Sequence, residues 1–195
     1  MIPPYLDNLH LDQVFSLYTS DVEAFIREST VNEHIVDSEK NRVSGFVTDS
    51  FGREEEENEE FFLVENPSGK PFSLLQIDNG LIRKNIGPAT KKCDCAIVDD
   101  ISFCFIEFKT KANTLNPLRR DNNYKVAIEQ LSATIGLFDN YHATQGTDIR
   151  DLRDVEAYIC FRQGYPRKTS SQMKFQVSFA DKHRIPLLFA RTKQL

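Results

Sequence analysis

The stretch Lys91-Lys92-Cys93-Asp94-Cys95-Ala96-Ile97-Val98-Asp99-Asp100-Ile101-Ser102-Phe103-Cys104-Phe105-Ile106-Glu107-Phe108-Lys109 decides the reading of this chain. It is two short apolar runs, rich in β-branched and aromatic residues, joined by a tight polar turn. That pattern predicts a β-hairpin. Charges inside such runs are costly to bury unless something pairs them. Three sit inside these: Asp94, Glu107 and Lys109.

Side chains alternate faces along a strand. Glu107 and Lys109 therefore share one face, and Cys104, Ile106 and Phe108 the other. A two-residue loop at Asp100-Ile101, or a four-residue loop from Asp99 to Ser102, puts Asp94 opposite Glu107. A loop at Asp99-Asp100 shifts Asp94 to face Phe105, still on the Glu107 side. Only an odd loop separates the acids, because a slip of one residue flips every side chain. Opposed residues bring their Cβ atoms to roughly 5 Å. Two carboxylates at that range repel unless a cation lies between them. Oxygen ligands suit a hard ion such as Mg²⁺, and a nearby lysine suits an anionic substrate.

These residues resemble the motif of the PD-(D/E)XK nuclease superfamily, with its restriction-endonuclease-like fold. The match consists of Asp94 near the start of one strand and Glu107-Phe108-Lys109 at the end of the next. Cys93 stands where the motif has proline. The resemblance spans about residues 61 to 195. It implies that Asp94, Glu107 and the backbone carbonyl of Phe108 ligate Mg²⁺ or Mn²⁺. It further implies that Lys109 positions or activates the attacking water and stabilises the transition state, so the expected catalytic residues are Asp94, Glu107 and Lys109. The other reading of the same residues is a surface hairpin with an ion pair between Lys109 and a carboxylate.

The 195 residues suffice for one domain with a sizeable core. With 40% hydrophobic and 27% charged residues, the composition is that of a soluble globular protein. No apolar run is long enough to span a bilayer. The start, Met1-Ile2-Pro3-Pro4-Tyr5, has no signal-peptide pattern, so a cytoplasmic location without membrane association is expected. Four cysteines, two of them spaced C-x-C, read as buried thiols rather than as a disulfide framework or zinc ligands.

Charge divides the chain. Residues 1–66 hold 16 acids and 4 bases, a net of −12, whereas residues 67–195 carry a net of +7. The acidic first part reads as a segment whose helix packs on a nuclease-like core at 67–195, within one compact unit. Overall acidity opposes nucleic-acid binding, but the basic second part restores the case. Lys91, Lys92, Lys111, Arg119 and Arg120 are the candidate phosphate contacts, with Arg83 and Lys84 nearby; each can equally be a solubilising charge.

Ser20-Asp21-Val22-Glu23 is a capping-box pattern opening a helix with Val22, Phe25 and Ile26 on its apolar face. The resemblance expects such a helix, which in some members lends a further acidic ligand. Glu23, Glu28 and Glu33 are candidates, and nothing in the sequence selects among them. Arg53 to Glu60, with six glutamates, reads as a polar loop or frayed helix end. Phe61–Val64 and Phe72–Ile77 flank Asn66-Pro67-Ser68-Gly69 and read as a second hairpin. Asp78, in the turn Asp78-Asn79-Gly80, is a possible accessory acid.

Downstream, Thr110 to Asn116 is a polar loop. A helix from Arg119 to about Phe138 carries one apolar stripe: Tyr124, Ile128, Leu131, Ile135 and Phe138. It is expected to bury Cys95, Ile97, Cys104, Ile106 and Phe108. Gln130 and Lys125 are accessory candidates, because a polar residue on this helix reaches the site in several branches of the family. A polar loop at 139–153, a strand at 155–161, a basic turn at 164–168, a helix at 173–184 and an edge-like strand at 185–190 complete the chain. The whole is α/β: a mixed central sheet flanked by helices, matching the αβββαβ restriction-endonuclease-like core. The function expected is a divalent-metal-dependent nuclease acting on DNA or RNA, with DNA the expected partner and a homodimer or partner subunit supplying recognition. The alternative is a non-catalytic nucleic-acid-binding or assembly subunit that keeps the fold.

Overall fold

In a computed structural model, which describes residues 1–38, 40–48, 51–82, 91–110, 117–162 and 170–195, the quoted stretch forms an antiparallel hairpin. Its strands are β6 (Cys95–Val98) and β7 (Ser102–Phe108). Cys95 pairs with Ile106 and Val98 with Phe103, the register expected from a turn around Asp100-Ile101. Asp99 Oδ1 caps that turn by accepting from the Ile101 and Ser102 N–H groups.

The hairpin lies at the middle of a six-stranded sheet. Its other strands are β1 (Ile26–Ser29), β5 (Phe72–Gln76), β8 (Asp154–Cys160) and β9 (Leu187–Leu188), in the order β1-β5-β6-β7-β8-β9. Each of the first four strands in that order runs antiparallel to its neighbour, whereas β8 and β9 join parallel. A parallel neighbour requires a crossover. That crossover is α4 (Pro117–Thr144), followed by the short α5 (Ile149–Leu152). Proline suits the first turn of α4, where its missing N–H has no helical partner to lose. Beyond the helix end, Gly146 takes φ +69° and the Thr147 N–H returns to the His142 carbonyl, an arrangement glycine permits at little steric cost. The remaining helix in this layer, α6 (Ser170–His183), precedes β9.

A second sheet holds β2 (Glu33–Ser38), β3 (Val43–Phe46), β4 (Phe62–Glu65) and β10 (Thr192–Gln194), in the order β10-β4-β2-β3. A 3-10 helix at Pro4–Leu9 and the short helices α1 (Leu11–Val14), α2 (Thr19–Glu23) and α3 (Arg53–Glu57) complete the described elements. The acidic first 66 residues thus supply β1 to the main sheet and three strands to the second. The C-terminus closes the second sheet with β10, and Lys193 of β10 ties it to the main sheet by an ion pair with Glu156 of β8 at 2.8 Å.

Every residue of β6 and β7 is buried, because the two faces of the main sheet have different covers. Tyr124, Ala127, Leu131, Ile135 and Phe138 of α4 pack on the face of Ala96, Val98, Phe103, Phe105 and Ile159. Ile35, Phe62 and Val64 of the second sheet pack on the face of Cys95, Ile97, Cys104, Ile106 and Phe108. This corrects the expectation that α4 covers the second set. Alternation separates the two faces but does not say which cover each receives, and α4 takes the face that carries Glu107. All four cysteines are free, buried thiols, as their apolar setting suggested.

Other expectations also change. Phe61–Val64 and Phe72–Ile77 do not form a hairpin: β4 and β5 belong to different sheets, and the turn at Asn66–Gly69 passes the chain between them. The first helix is only α2, with Tyr18 at its N-cap and no side-chain cap. The Phe25 carbonyl accepts from the Gln76 N–H, drawing Ile26 into the sheet edge as β1. The 139–153 segment extends α4 and forms α5 rather than a loop, and only Leu187–Leu188 of the last expected strand pairs with β8. Among the described residues, no helix is long and apolar enough to cross a membrane.

Phe138 anchors this arrangement. Its ring meets Phe15, Phe103 and Phe105 edge-on, with centroids 5.5, 5.0 and 5.5 Å away. Phe138→Ala removes an aromatic side chain from a fully buried position and is expected to cost about 3–5 kcal/mol in chemical denaturation. A loss below about 1 kcal/mol would contradict this packing.

Candidate functional site

Asp94 immediately precedes β6, and Glu107 is the penultimate residue of β7. Since Cys95 pairs with Ile106, Asp94 falls opposite Glu107 at the end of the hairpin remote from its turn. The main chain at Asp94 is pinned from one side by the turn after β5. Ile77 and Asp78 both donate their N–H groups to the Asp94 carbonyl, at 3.2 and 3.1 Å. Gly80 permits that turn, because a Cβ there would lie 2.1 Å from the Gln76 carbonyl oxygen.

From the other side α4 grips the same segment. Gln130 Nε2 donates to the Lys92 carbonyl at 3.1 Å, and the Cys93 N–H donates to Thr134 Oγ1 at 2.9 Å. These contacts use one polar track beside the apolar stripe of the helix. Gln130 has a second role, since its Oε1 accepts from Lys109 Nζ at 3.0 Å. The same ammonium also donates to Glu107 Oε1. Asp94 Oδ2 accepts from the Phe108 N–H at 2.6 Å. Asp94, Glu107, Lys109 and Gln130 are therefore brought together.

The electrostatics of the pair are unfavourable. Asp94 and Glu107 are 7% and 1% exposed. Burial pushes Asp94 well above the usual carboxylate range, and the neighbouring charges of Glu107 and Asp37 push it the same way, against the Phe108 N–H and Lys109. Burial also pushes Glu107 up to about 7, with Lys109 opposing the rise and Asp37 adding to it. Glu107 Oε2 is buried and has no hydrogen-bond partner among the described residues. An orphaned buried acceptor carries a desolvation penalty of about 1–3 kcal/mol.

Asp37 is the residue that reading the sequence missed. It lies on β2, opposite Ser44 of β3, and Ser44 Oγ donates to Asp37 Oδ1 at 3.4 Å. A usable signal was present: Asp37 follows the apolar pair Ile35-Val36, and a charge at the end of an apolar run is what singled out Glu107.

Other candidates are placed elsewhere. Asp78 lies one layer out, with Oδ1 2.9 Å from Lys92 Nζ. Glu23 pairs with the Met1 amino group. Glu28 pairs across the sheet with Ser73, and through it with Val98, near the opposite end of the hairpin. Glu33 accepts from Ser29 Oγ. None of these three glutamates joins the pair. Lys125 is exposed on α4. Among the candidate phosphate contacts, Lys91 pairs with Glu129 and Lys92 also donates to the Ile82 carbonyl. Arg119 and Arg120 lie in the first turn of α4, with Arg120 4.0 Å from Asp121. Lys111, Arg83, Lys84, the loop at 111–116 and the basic turn at 164–168 fall outside the described residues.

Comparisons of the chain with family models, with curated proteins and with solved structures each give no match.

Burial of the pair fixes a pH dependence. A carboxyl whose value is raised on folding binds more protons folded than unfolded. Stability therefore falls as pH rises from the ordinary Glu value of 4.5 to the folded value of about 7. The Glu107 contribution is on the order of 3 kcal/mol. In chelator, the parent is expected to lose stability relative to Glu107→Gln between about pH 5 and about pH 8. Parallel melting curves for the two proteins over that range would contradict the burial effect.

Proposed function

We propose that this protein is a divalent-metal-dependent nuclease, hydrolysing phosphodiester bonds of DNA or RNA with Asp94, Glu107 and Lys109. The observation that carries the reading is the buried Asp94–Glu107 pair, in which Glu107 Oε2 has no partner among the described residues. A fold that only needed a salt bridge would not bury a second acid beside the first.

Connectivity supports the same reading. Three antiparallel strands β5-β6-β7, the helix α4 and the parallel strand β8 follow in the order of the αβββαβ core that the motif resembles. The two acids and the lysine meet at one end of the β6-β7 hairpin, which supports the reading.

Mg²⁺ or Mn²⁺ suits the donor set. Among the described residues, no three or more His, Cys, Asp or Glu side chains are arranged as a metal cage. Mg²⁺ seldom needs one, since it commonly uses one or two carboxylates together with waters and substrate phosphates. Asp94 and Glu107 would hold it, with the Phe108 carbonyl as a third oxygen. Once bound, the ion would polarise the phosphate and acidify a water.

The chain's own groups do the rest. The Phe108 N–H fixes the Asp94 carboxylate. Gln130 and Glu107 hold the Lys109 ammonium at the pair, where its charge offsets the negative charge that develops on the phosphate oxygens. A non-catalytic role is the second reading, and the Glu107–Lys109 ion pair favours it.

Cleavage assays on plasmid and single-stranded substrates, with and without Mg²⁺ or Mn²⁺, separate the two. The nuclease reading expects metal-dependent cleavage that Asp94→Ala and Glu107→Ala abolish. Lys109→Ala is expected to lose about 10²–10³-fold in rate while still binding Mn²⁺. A parent that neither cleaves nor gains thermal stability from either ion is a non-catalytic protein.

A further inference from the structure

The outward face of α6 is not used by the fold. One side of this helix serves the core. Gln172, Phe179 and His183 are buried, Phe175 meets Tyr124 of α4 with ring centroids 5.8 Å apart, and Gln176 Nε2 donates to the Leu187 carbonyl at 2.8 Å. The other side is an exposed stripe of Met173, Lys174, Val177, Ser178, Asp181 and Lys182, which together line one shallow groove. The solvent face of a surface helix is ordinarily polar. Here Met173 is 68% and Val177 62% exposed, four residues apart and therefore neighbours on the helix surface. Valine is also a poorer helix former than the long polar residues usual at such a position. Lys174 and Asp181 have no ion-pair partner among the described residues.

The stripe is complementary to itself. Met173 and Lys182, Lys174 and Asp181, and Val177 and Ser178 each lie at equal distances from the midpoint between Val177 and Ser178. Within one chain Lys174 and Asp181 are two helical turns apart, about 10 Å along the axis, too far to pair. A second α6 laid antiparallel across that midpoint sets Lys174 of each copy against Asp181 of the other. Val177 then meets the small Ser178 of the opposite helix, which leaves room for close approach at the centre. Met173 meets the aliphatic stem of Lys182, whose ammonium can still reach water. All six residues thus gain a fitting neighbour from one operation. A two-fold interface requires this property, since the same patch must serve both partners.

We infer that α6 pairs antiparallel with α6 of a second copy of this chain, across a two-fold axis at Val177 and Ser178, to form a homodimer. One helix pair is at the small end of specific interfaces, below about 1,200 Å² in total, so the association is weak and depends on concentration. The inference goes beyond the nuclease reading and does not rest on it.

The test is sedimentation velocity of the full chain over a range of concentrations, for the parent, Lys174→Glu, Asp181→Lys and Val177→Glu, and for an equimolar mixture of the first two variants. The parent is expected to show a dimer fraction that rises with concentration. Lys174→Glu sets two acids against each other at both contacts, Asp181→Lys sets two lysines, and Val177→Glu places charges beside the axis. Each should weaken self-association by about tenfold or more. Mixing Lys174→Glu with Asp181→Lys restores opposite charges at both contacts, so the mixture should dimerise as the parent does although neither variant dimerises alone. All three positions are exposed, and melting temperatures of the dilute variants should match the parent. A parent that stays monomeric at millimolar concentration overturns the inference and leaves the face to another occupant. A dimer that survives all three substitutions uses another surface and overturns it too. Variants that fail to recover on mixing overturn the two-fold antiparallel pairing. Cleavage is not the readout, so none of these outcomes bears on the nuclease reading.

Discussion

Two carboxyl groups buried side by side, Asp94 and Glu107, are the constraint on which the rest of this structure bears. Water would hydrate them separately; the fold holds them together at the end of a hairpin with all strand positions buried. The hairpin register sets them opposite each other. The turn at Asp78–Gly80 fixes the main chain of Asp94, and Gln130 and Thr134 of α4 fix the two residues before it. Lys109 offsets part of the charge, and both carboxyls remain raised.

Such a site works against stability. Sites of this kind are where local rules are broken and the surrounding fold compensates. Here compensation comes from two separate cores. The aromatic cluster of Phe15, Phe103, Phe105 and Phe138 secures α4 to one face, while Ile35, Phe62 and Val64 secure the second sheet to the other. The helix side contributes a polar contact to the acids' neighbour Lys109 through Gln130, whereas Asp37 of the second sheet acts on them only as a charge. A ligand that brings positive charge would relieve the repulsion that both covers now contain.

The hairpin and its register were legible in the sequence, because a period of two and a short polar turn leave few alternatives. So was α4, whose stripe at Tyr124, Leu131, Ile135 and Phe138 is buried as its spacing implies. What lay beyond reach were the long-range choices. Cys95, Ile97 and Cys104 demand burial, but nothing local says that a second sheet rather than a helix provides it. Phe61–Val64 and Phe72–Ile77 flank an ordinary turn, and the decision to place them in different sheets depends on β2 and β10, far away in the chain. Asp37 carries a local signal, a charge following the apolar pair Ile35-Val36, but its effect on Asp94 and Glu107 spans more than fifty positions of sequence.

The most direct measurement is the number of protons released when Mn²⁺ binds, obtained by calorimetry in buffers of different ionisation enthalpy. A cation entering a carboxyl pair with raised protonation must displace protons, because ligands bind metal in their ionised form. Near pH 6, net proton release is predicted, falling as pH rises through the folded range of the pair, in which Glu107 lies at about 7 and Asp94 is raised as well. Binding without proton release at any pH in that range, or no binding at all, would contradict the claim that Asp94 and Glu107 are held together to receive a cation.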